Sequence, residues 1–128
     1  MSIFIVQLGT PRKPGEGLRL GTVRRPPRGV PKSEFALLDY YDVWFPNLSP
    51  SVGLVQEARC ASNERAWAVF KRKFRREMSV ADRSRELDVL AALSLQANLS
   101  LGCYCKDEGR CHRSVLRELL AERGAHVV

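Results

Sequence analysis

Short apolar runs and one long amphipathic period divide the chain. Ile3 to Val6 (IFIV) is apolar and is closed by Gly9 and the breaker-rich TPRKPGEG, which predicts a buried strand followed by a loop. A second short strand is predicted over Leu18 to Val23. The prolines of RRPPRGVP, Arg24 to Pro31, then fix φ and remove backbone donors, so this segment reads as a stiffened, extended basic loop. Phe35 to Phe45 (FALLDYYDVWF) is aromatic and apolar and predicts a strand around Tyr41 to Phe45, ended by PNLSPS. Pro50 and Ser51 mark the start of a short helix through Ala58.

The clearest period follows. Trp67, Phe70, Phe74 and Met78 recur at helical spacing, predicting an amphipathic helix capped by Asn63 with its body over Ala66 to Glu77. Ser79 or Asp82 opens a further helix to about Ala97, with Leu87, Leu90 and Ala91 inward and Val89 and Leu93 widening the buried face. Leu99 to Cys105 reads as an apolar strand and KDEGR as a polar turn. Ser114 to Arg123 reads as the last helix, on the face Val115, Leu116, Leu119 and Leu120. Gly124 is placed to stop it before a short terminal strand, Ala125 to Val128. Strands at both ends with helices between predict an α/β fold: a single small domain over residues 1–128, with a partly parallel sheet covered by helices in Rossmann-like layering.

Composition narrows the setting. With 128 residues, 45% of them hydrophobic, the chain has enough apolar material for one core and too little for two. No run approaches the roughly 20 apolar residues of a membrane span, and the first residues lack the pattern of a signal peptide. The expectation is a cytoplasmic protein with no membrane partner, whose four cysteines are reduced. The formal charge of +7 comes chiefly from Arg24, Arg25 and Arg28 and from KRKFRR, Lys71 to Arg76. Such an excess attracts phosphate-bearing partners. For KRKFRR the solvated outer face of the amphipathic helix is the simpler account, and nucleic acid remains an open partner.

Reactive side chains concentrate in GCYCKDEGRCHRS, Gly102 to Ser114, at the carboxyl end of a predicted strand, where ligands commonly bind in open α/β sheets. Free N–H groups and the dipole at the start of the last helix favour an anion, and Ser114 is placed to cap that end or donate to the anion. Cys111, beside Arg110, His112 and Arg113, has its thiolate favoured by neighbouring positive charge and is the candidate nucleophile. Arg113 offers a bidentate grip on phosphate or carboxylate, and His112 a proton carrier.

Two motif matches are weak. Cys111 to Arg117 has the spacing of a tyrosine-phosphatase loop, but HRSVL lacks glycine and sends Val115 and Leu116 into a core. Cys105 to Arg110 has the length of a rhodanese-type loop, but Asp107 and Glu108 would repel an anion. A zinc reading takes Cys103, Cys105, Cys111 and His112 as ligands, against the one-residue gap between Cys103 and Cys105 and the adjacency of Cys111 and His112. An alternating strand sends Cys103 and Cys105 to one face, and a buried structural role is favoured for Cys103. Cys60 reads as packing or a surface thiol, and His126 as structural or solvent-facing.

TVRRPPRGV (22–30), YDVWFPNLSPS (41–51) and LSLGCYCKDEGRCHRSVLRELL (99–120), with WAVFKRKFRREM between them, resemble the family called domain of unknown function 488. The resemblance covers most of the domain, and its last stretch is the most specific. It implies a small α/β fold with the Cys-His-Arg-Ser segment entering the last helix and the arginine-proline loop as a second polar signature. It names no reaction and no cofactor. It also suggests a combined site in which Arg24, Arg25 and Arg28 approach the Cys111 loop, with Asp42 and Trp44 at its border. A solvated loop for these arginines and a salt bridge for Asp42 are equally admissible, and core packing is the preferred reading of Tyr41 and Trp44. The functional expectation is an anion (phosphate)-binding site at the Cys-His-Arg-Ser turn that supports thiol chemistry. The alternatives are a nucleic-acid-associated binding module and a structural zinc protein.

Overall fold

The computed structural model describes residues 1–128. Four strands form one sheet, β1 (Ile3–Gln7), β2 (Leu18–Gly21), β3 (Val43–Trp44) and β4 (Leu99–Cys103), in the order β1-β4-β2-β3, and every pairing is parallel. β4, last in sequence, occupies the middle of the sheet and is buried along its whole length. A further parallel bridge joins Ile3 to Val127, so the predicted terminal strand is reduced to one pairing.

Four helices complete the domain: α1 (Val52–Cys60), α2 (Glu64–Met78), α3 (Ala81–Leu93) and α4 (His112–Ala121). The helix starts have local causes. The Ser51 side chain accepts from the Leu54 N–H, and Asn63 from the Ala66 N–H, satisfying donors that the first turn leaves free. α3 has no such cap: it begins after Val80, and neither Ser79 nor Asp82 performs the role assigned by sequence. It also ends at Leu93, and Val89 and Leu93 lie exposed, so its buried face is the narrow one of Leu87, Leu90 and Ala91.

All four helices contribute to one core with Ile3, Leu20, Leu99 and Leu101 of the sheet. Its centre is the α2 ladder of Trp67, Phe70 and Phe74, stacked at 4.7 and 5.9 Å between ring centroids. Alternation along the strands turns Arg19 and Ser100 the other way, onto the segment that links β1 to β2: the Ser100 hydroxyl donates to the Glu16 carbonyl, and Arg19 pairs with the Glu16 carboxylate in full burial.

A second, smaller cluster of Leu8, Val23, Tyr41, Cys103 and Cys111 sits at the carboxyl ends of the strands. Two register partners, Gly21 and Gly102, make room for it. A Cβ on Gly102 would stand 2.3 Å from the Leu8 side chain, and one on Gly21 would stand 2.4 Å from the Tyr41 ring. No helix is long and apolar enough to cross a membrane.

Candidate functional site

The predicted concentration of chemistry survives folding. β4 delivers Cys103 and the following Tyr104 and Cys105. A single turn at Glu108–Arg110 then reverses the chain, and α4 begins at His112, two residues before the predicted start. Cys111 is therefore the residue that precedes the helix, and the Ser114 hydroxyl donates to the Cys111 carbonyl at 2.9 Å instead of capping the helix or facing an anion.

Cys111, His112 and Arg113 are all buried, Arg113 to 2% exposure. This overturns the expected role of Arg113. Its Nε donates to Cys111 Sγ at 3.2 Å, one terminal nitrogen donates to the Val6 carbonyl, and the other to the Cys105 carbonyl at 2.6 Å. All three of its nitrogens donate within the protein and the side chain is buried, so no bidentate grip is presented to an external anion. What Arg113 has is a sulfur, and no carboxylate pairs with it. A buried cation without a carboxylate needs another anion, and Cys111 is the group positioned to supply one.

The histidine geometry agrees. His112 Nε2 lies 2.7 Å from the Thr22 carbonyl, which can only accept, so Nε2 carries the hydrogen. The Thr22 hydroxyl donates to the Gly102 carbonyl at 3.0 Å and presents a lone pair to the same Nε2 at 3.1 Å. That leaves His112 Nδ1 facing Cys111 Sγ at 3.6 Å, able to receive the thiol proton. Cys111 is pushed well below the usual thiol range: the Cys103 and Cys105 thiols donate to it, outweighing burial, and His112 adds to the effect. Cys103 is raised in turn, since it donates to Cys105 and Cys111 and is buried; Cys105 is raised because Cys111 and burial outweigh its contact with Cys103. Among the three thiols, Cys111 is thus the one whose ionised form is favoured.

The sulfur of Cys111 is enclosed, contrary to an opening on solvent, yet its surroundings are polar on the side of Arg113 and His112. Cys105 is exposed and lies 3.8 Å from Cys103, so it connects the cluster to solvent. The same atoms have metal-ligand spacing. Donor atoms of Cys103, Cys111 and His112 lie within 4.8 Å of one another, and separations of 3.8 Å (Cys103 to Cys105) and 3.6 Å (Cys111 to His112) match the roughly 3.8 Å edge of a tetrahedron with metal–sulfur bonds of about 2.3 Å. With Nε2 held by a backbone carbonyl, Nδ1 is oriented as a ligand would be.

The other candidates separate. Arg110 turns toward α2, pairing with Glu64 at 3.0 Å and lying 5.8 Å above the Trp67 ring. Arg24 donates to the Ser49 and Pro50 carbonyls, which anchors the proline loop to the start of α1. Asp42 takes a bidentate pair from Arg12 at 2.8 and 3.1 Å and the Arg19 N–H at 2.8 Å, so it neither borders the cysteines nor meets the early arginines. Burial raises the Asp42 carboxyl, but Arg12 and that N–H outweigh it and hold it below its ordinary value. Trp44 is half exposed, its indole N–H donating to the Val23 carbonyl, whereas Tyr41 is buried as expected.

Arg25 and Arg28 stay exposed and line a depression with Pro26, Pro27, Tyr40, Arg59 and Tyr104. Tyr104 ties it to the cysteine strand, donating its hydroxyl to the Arg25 carbonyl at 2.8 Å. Sequence reasoning missed Thr22, Arg59, Tyr40 and Tyr104. Only Thr22, near the carboxyl end of a predicted strand, carried a positional signal. Lys71, Lys73 and Arg75 of KRKFRR pair with Glu118, Glu57 and Glu122, which fits the solvated-face account of that run.

A parallel α/β domain with a Cys-His-Arg cluster where its central strand hands over to its last helix is thus the class defined by fold and site. The chain matches the family model DUF488-N3a, described as the active DUF488-N3 subclade, over residues 3–124, and belongs to the DUF488 family. Neither the curated proteins nor the solved structures gave a match.

Proposed function

We propose that the protein performs thiol chemistry at Cys111 on an anionic, phosphate-bearing ligand. One observation carries this reading: the buried Arg113 guanidinium donates to Cys111 Sγ at 3.2 Å and has no carboxylate counter-ion. A thiolate is the form of Cys111 that satisfies it, and a thiolate is the nucleophilic form of cysteine. His112 Nδ1 faces the sulfur at 3.6 Å as a hydrogen-bond partner. Cys103 and Cys105 hold the remaining protons. Exposed Cys105 is where an electrophile first meets the cluster, and the reduced state of all four cysteines suits a cytoplasmic setting.

A second polar group favours a ligand. The Tyr41 hydroxyl is buried, lacks a partner, and belongs to the apolar cluster that holds Cys103 and Cys111. Leaving such a group unpaired costs about 1–3 kcal/mol, so a bound molecule that pairs with it gains accordingly. The description of the matching subclade as active agrees with a catalytic reading.

The test is alkylation by iodoacetamide with peptide mapping across pH 5.5 to 9. The expected result is modification of Cys111 at a rate nearly flat over that range, lost in Cys111→Ser, while Cys60 shows an ordinary thiol profile. A rate at Cys111 that climbs tenfold per pH unit up to about 8.5 would refute the thiolate.

The ligand-like spacing of Cys103, Cys111 and His112, with Cys105 3.8 Å from Cys103, favours one alternative, a structural zinc site. Metal analysis of protein purified without chelator decides it: one zinc per chain, with unfolding on chelation, replaces the thiol reading.

A further inference from the structure

Arg113 cannot hold an external anion, which moves the anion to another part of the site. We propose that the depression lined by Arg25, Arg28, Arg59, Tyr40 and Tyr104 binds a nucleoside phosphate, presenting it to the exposed Cys105 edge of the thiol cluster. The proposal deepens the functional reading above by naming its ligand, and adds Arg59, Tyr40 and Tyr104 to the site.

Charge is the first argument. Six arginines, Arg12, Arg19, Arg75, Arg110, Arg117 and Arg123, each have a carboxylate. Arg25, Arg28 and Arg59 have none, and they line one concavity with no acidic residue in its wall. Three like charges around one space repel one another until a multiply charged anion neutralises them, and the guanidinium fork matches phosphate oxygens two at a time.

Shape is the second. The space is about 650 Å³, within the roughly 300–1,000 Å³ range of small-molecule sites. Its wall is stiff. Pro26 and Pro27 fix the loop, Arg24 pins one side of it to the start of α1, and the Tyr104 hydroxyl pins the other to β4. A rigid wall spares a ligand the cost of ordering it.

The third argument selects a base. Tyr40 and Tyr104 meet edge to face, with centroids 6.4 Å apart, and Tyr104 remains exposed. An aromatic face beside phosphate-binding arginines is the combination that stacks a nucleobase, worth about 1–3 kcal/mol per base. Inorganic phosphate would leave that surface unused. The Tyr104 backbone is also held, its carbonyl accepting from Gln7 Nε2 at 3.2 Å, and the adjoining Cys105 carbonyl accepts from Arg113. A base stacked on Tyr104 therefore lies one residue from thiols on either side.

Calorimetric titration of the full chain with ADP, adenosine, inorganic phosphate and a ten-residue oligothymidylate tests it. Expected is one ADP per chain, with adenosine and phosphate each at least tenfold weaker. Arg28→Ala and Arg59→Ala should each weaken ADP at least tenfold with unchanged thermal unfolding, as suits exposed side chains. No binding of ADP, equal binding of adenosine, or indifference to both substitutions overturns the proposal. Oligothymidylate binding tighter than ADP, and falling steeply with salt, also overturns it, in favour of a nucleic-acid strand. Failure is separable from that of the thiolate: low-pH alkylation of Cys111 without ADP binding refutes this proposal alone, and ADP binding without such alkylation refutes the thiolate alone.

Discussion

Two arginines are buried almost completely in this small domain, and they are buried differently. Arg19, on β2, lies against Glu16, with the Thr10, Pro11 and Asp39 carbonyls accepting from its terminal nitrogens. Arg113, at the start of α4, has two carbonyls in the same manner, but its third partner is the sulfur of Cys111. A guanidinium cannot shed its proton, so each must find an anion. Around Arg19 the anion is a carboxylate that is charged at any physiological pH, and the arrangement is closed and structural. Around Arg113 the partner is a thiol, held below its ordinary range chiefly by the Cys103 and Cys105 thiols and His112, with the guanidinium donating to the same sulfur. The first arginine ties a loop to the sheet through a carboxylate; the second is tied to the cysteine that the proposed function makes the nucleophile.

The comparison is broken most severely by removing the anions. Glu16→Gln leaves Arg19 buried and unpaired, for which a loss of about 3–5 kcal/mol is expected in urea unfolding. A loss below 1 kcal/mol would show that water reaches Arg19. Cys111→Ser retains a weak acceptor but no charge, and the expected loss is smaller, about 1.5–3 kcal/mol at pH 8, in line with a hydrogen bond to a charged group. If Cys111→Ser is neutral at pH 8, the sulfur was not the counter-ion.

Proton linkage separates the two pairs next, since both acids are held below their ordinary values. For Glu16, burial acts to raise it but the Arg19 contact and the Lys13 N–H prevail. Its contribution is present above the unfolded value of about 4.3 and is lost as pH falls further, through the folded value. For Cys111 the sign is the same, but the unfolded thiol titrates near 8.5, so its contribution is complete above that and declines as pH falls toward 6. Wild type should therefore lose stability relative to Cys111→Ser by up to about 1.4 kcal/mol per pH unit between pH 8 and 6, while the Glu16→Gln difference stays constant there. Parallel curves for wild type and Cys111→Ser would sink the thiolate.

The difference between the two arginines was hidden in the sequence. The period of Trp67, Phe70, Phe74 and Met78 gave α2 directly, because four aromatic and apolar residues on one helical face have only one place to go. The α/β class followed from apolar runs near both ends, and the concentration of chemistry at Cys111 from spacing alone. Side-chain direction did not follow. Arg110 and Arg113 flank Cys111 symmetrically in sequence, yet one faces Glu64 on the surface and the other passes under the sheet to Val6. Which one goes inward is set by the start of α4 at His112, two residues earlier than its apolar face suggested. Arg59 was illegible for a related reason: only the anchoring of the proline loop by Arg24 brings the end of α1 beside it. Asp42 was read against nearby basic residues in the signature stretches, while its actual partner, Arg12, sits in a loop with no signal of its own.

The smallest effect sharpens the contrast by its sign. Around Arg19 the polar groups are partnered, whereas the thiol cluster contains the buried Tyr41 hydroxyl with no partner. Tyr41→Phe removes that group and keeps the ring that fills the space over Gly21, so the edge contact with Phe35 at 5.2 Å is retained. An ordinary buried tyrosine loses a hydrogen bond on such a change and destabilises by about 1 kcal/mol. Here nothing is lost and a desolvated hydroxyl is relieved, so a gain of up to about 1 kcal/mol is expected in thermal or urea unfolding. If Tyr41→Phe instead destabilises, the hydroxyl has a structural partner and the cluster is as closed as the environment of Arg19.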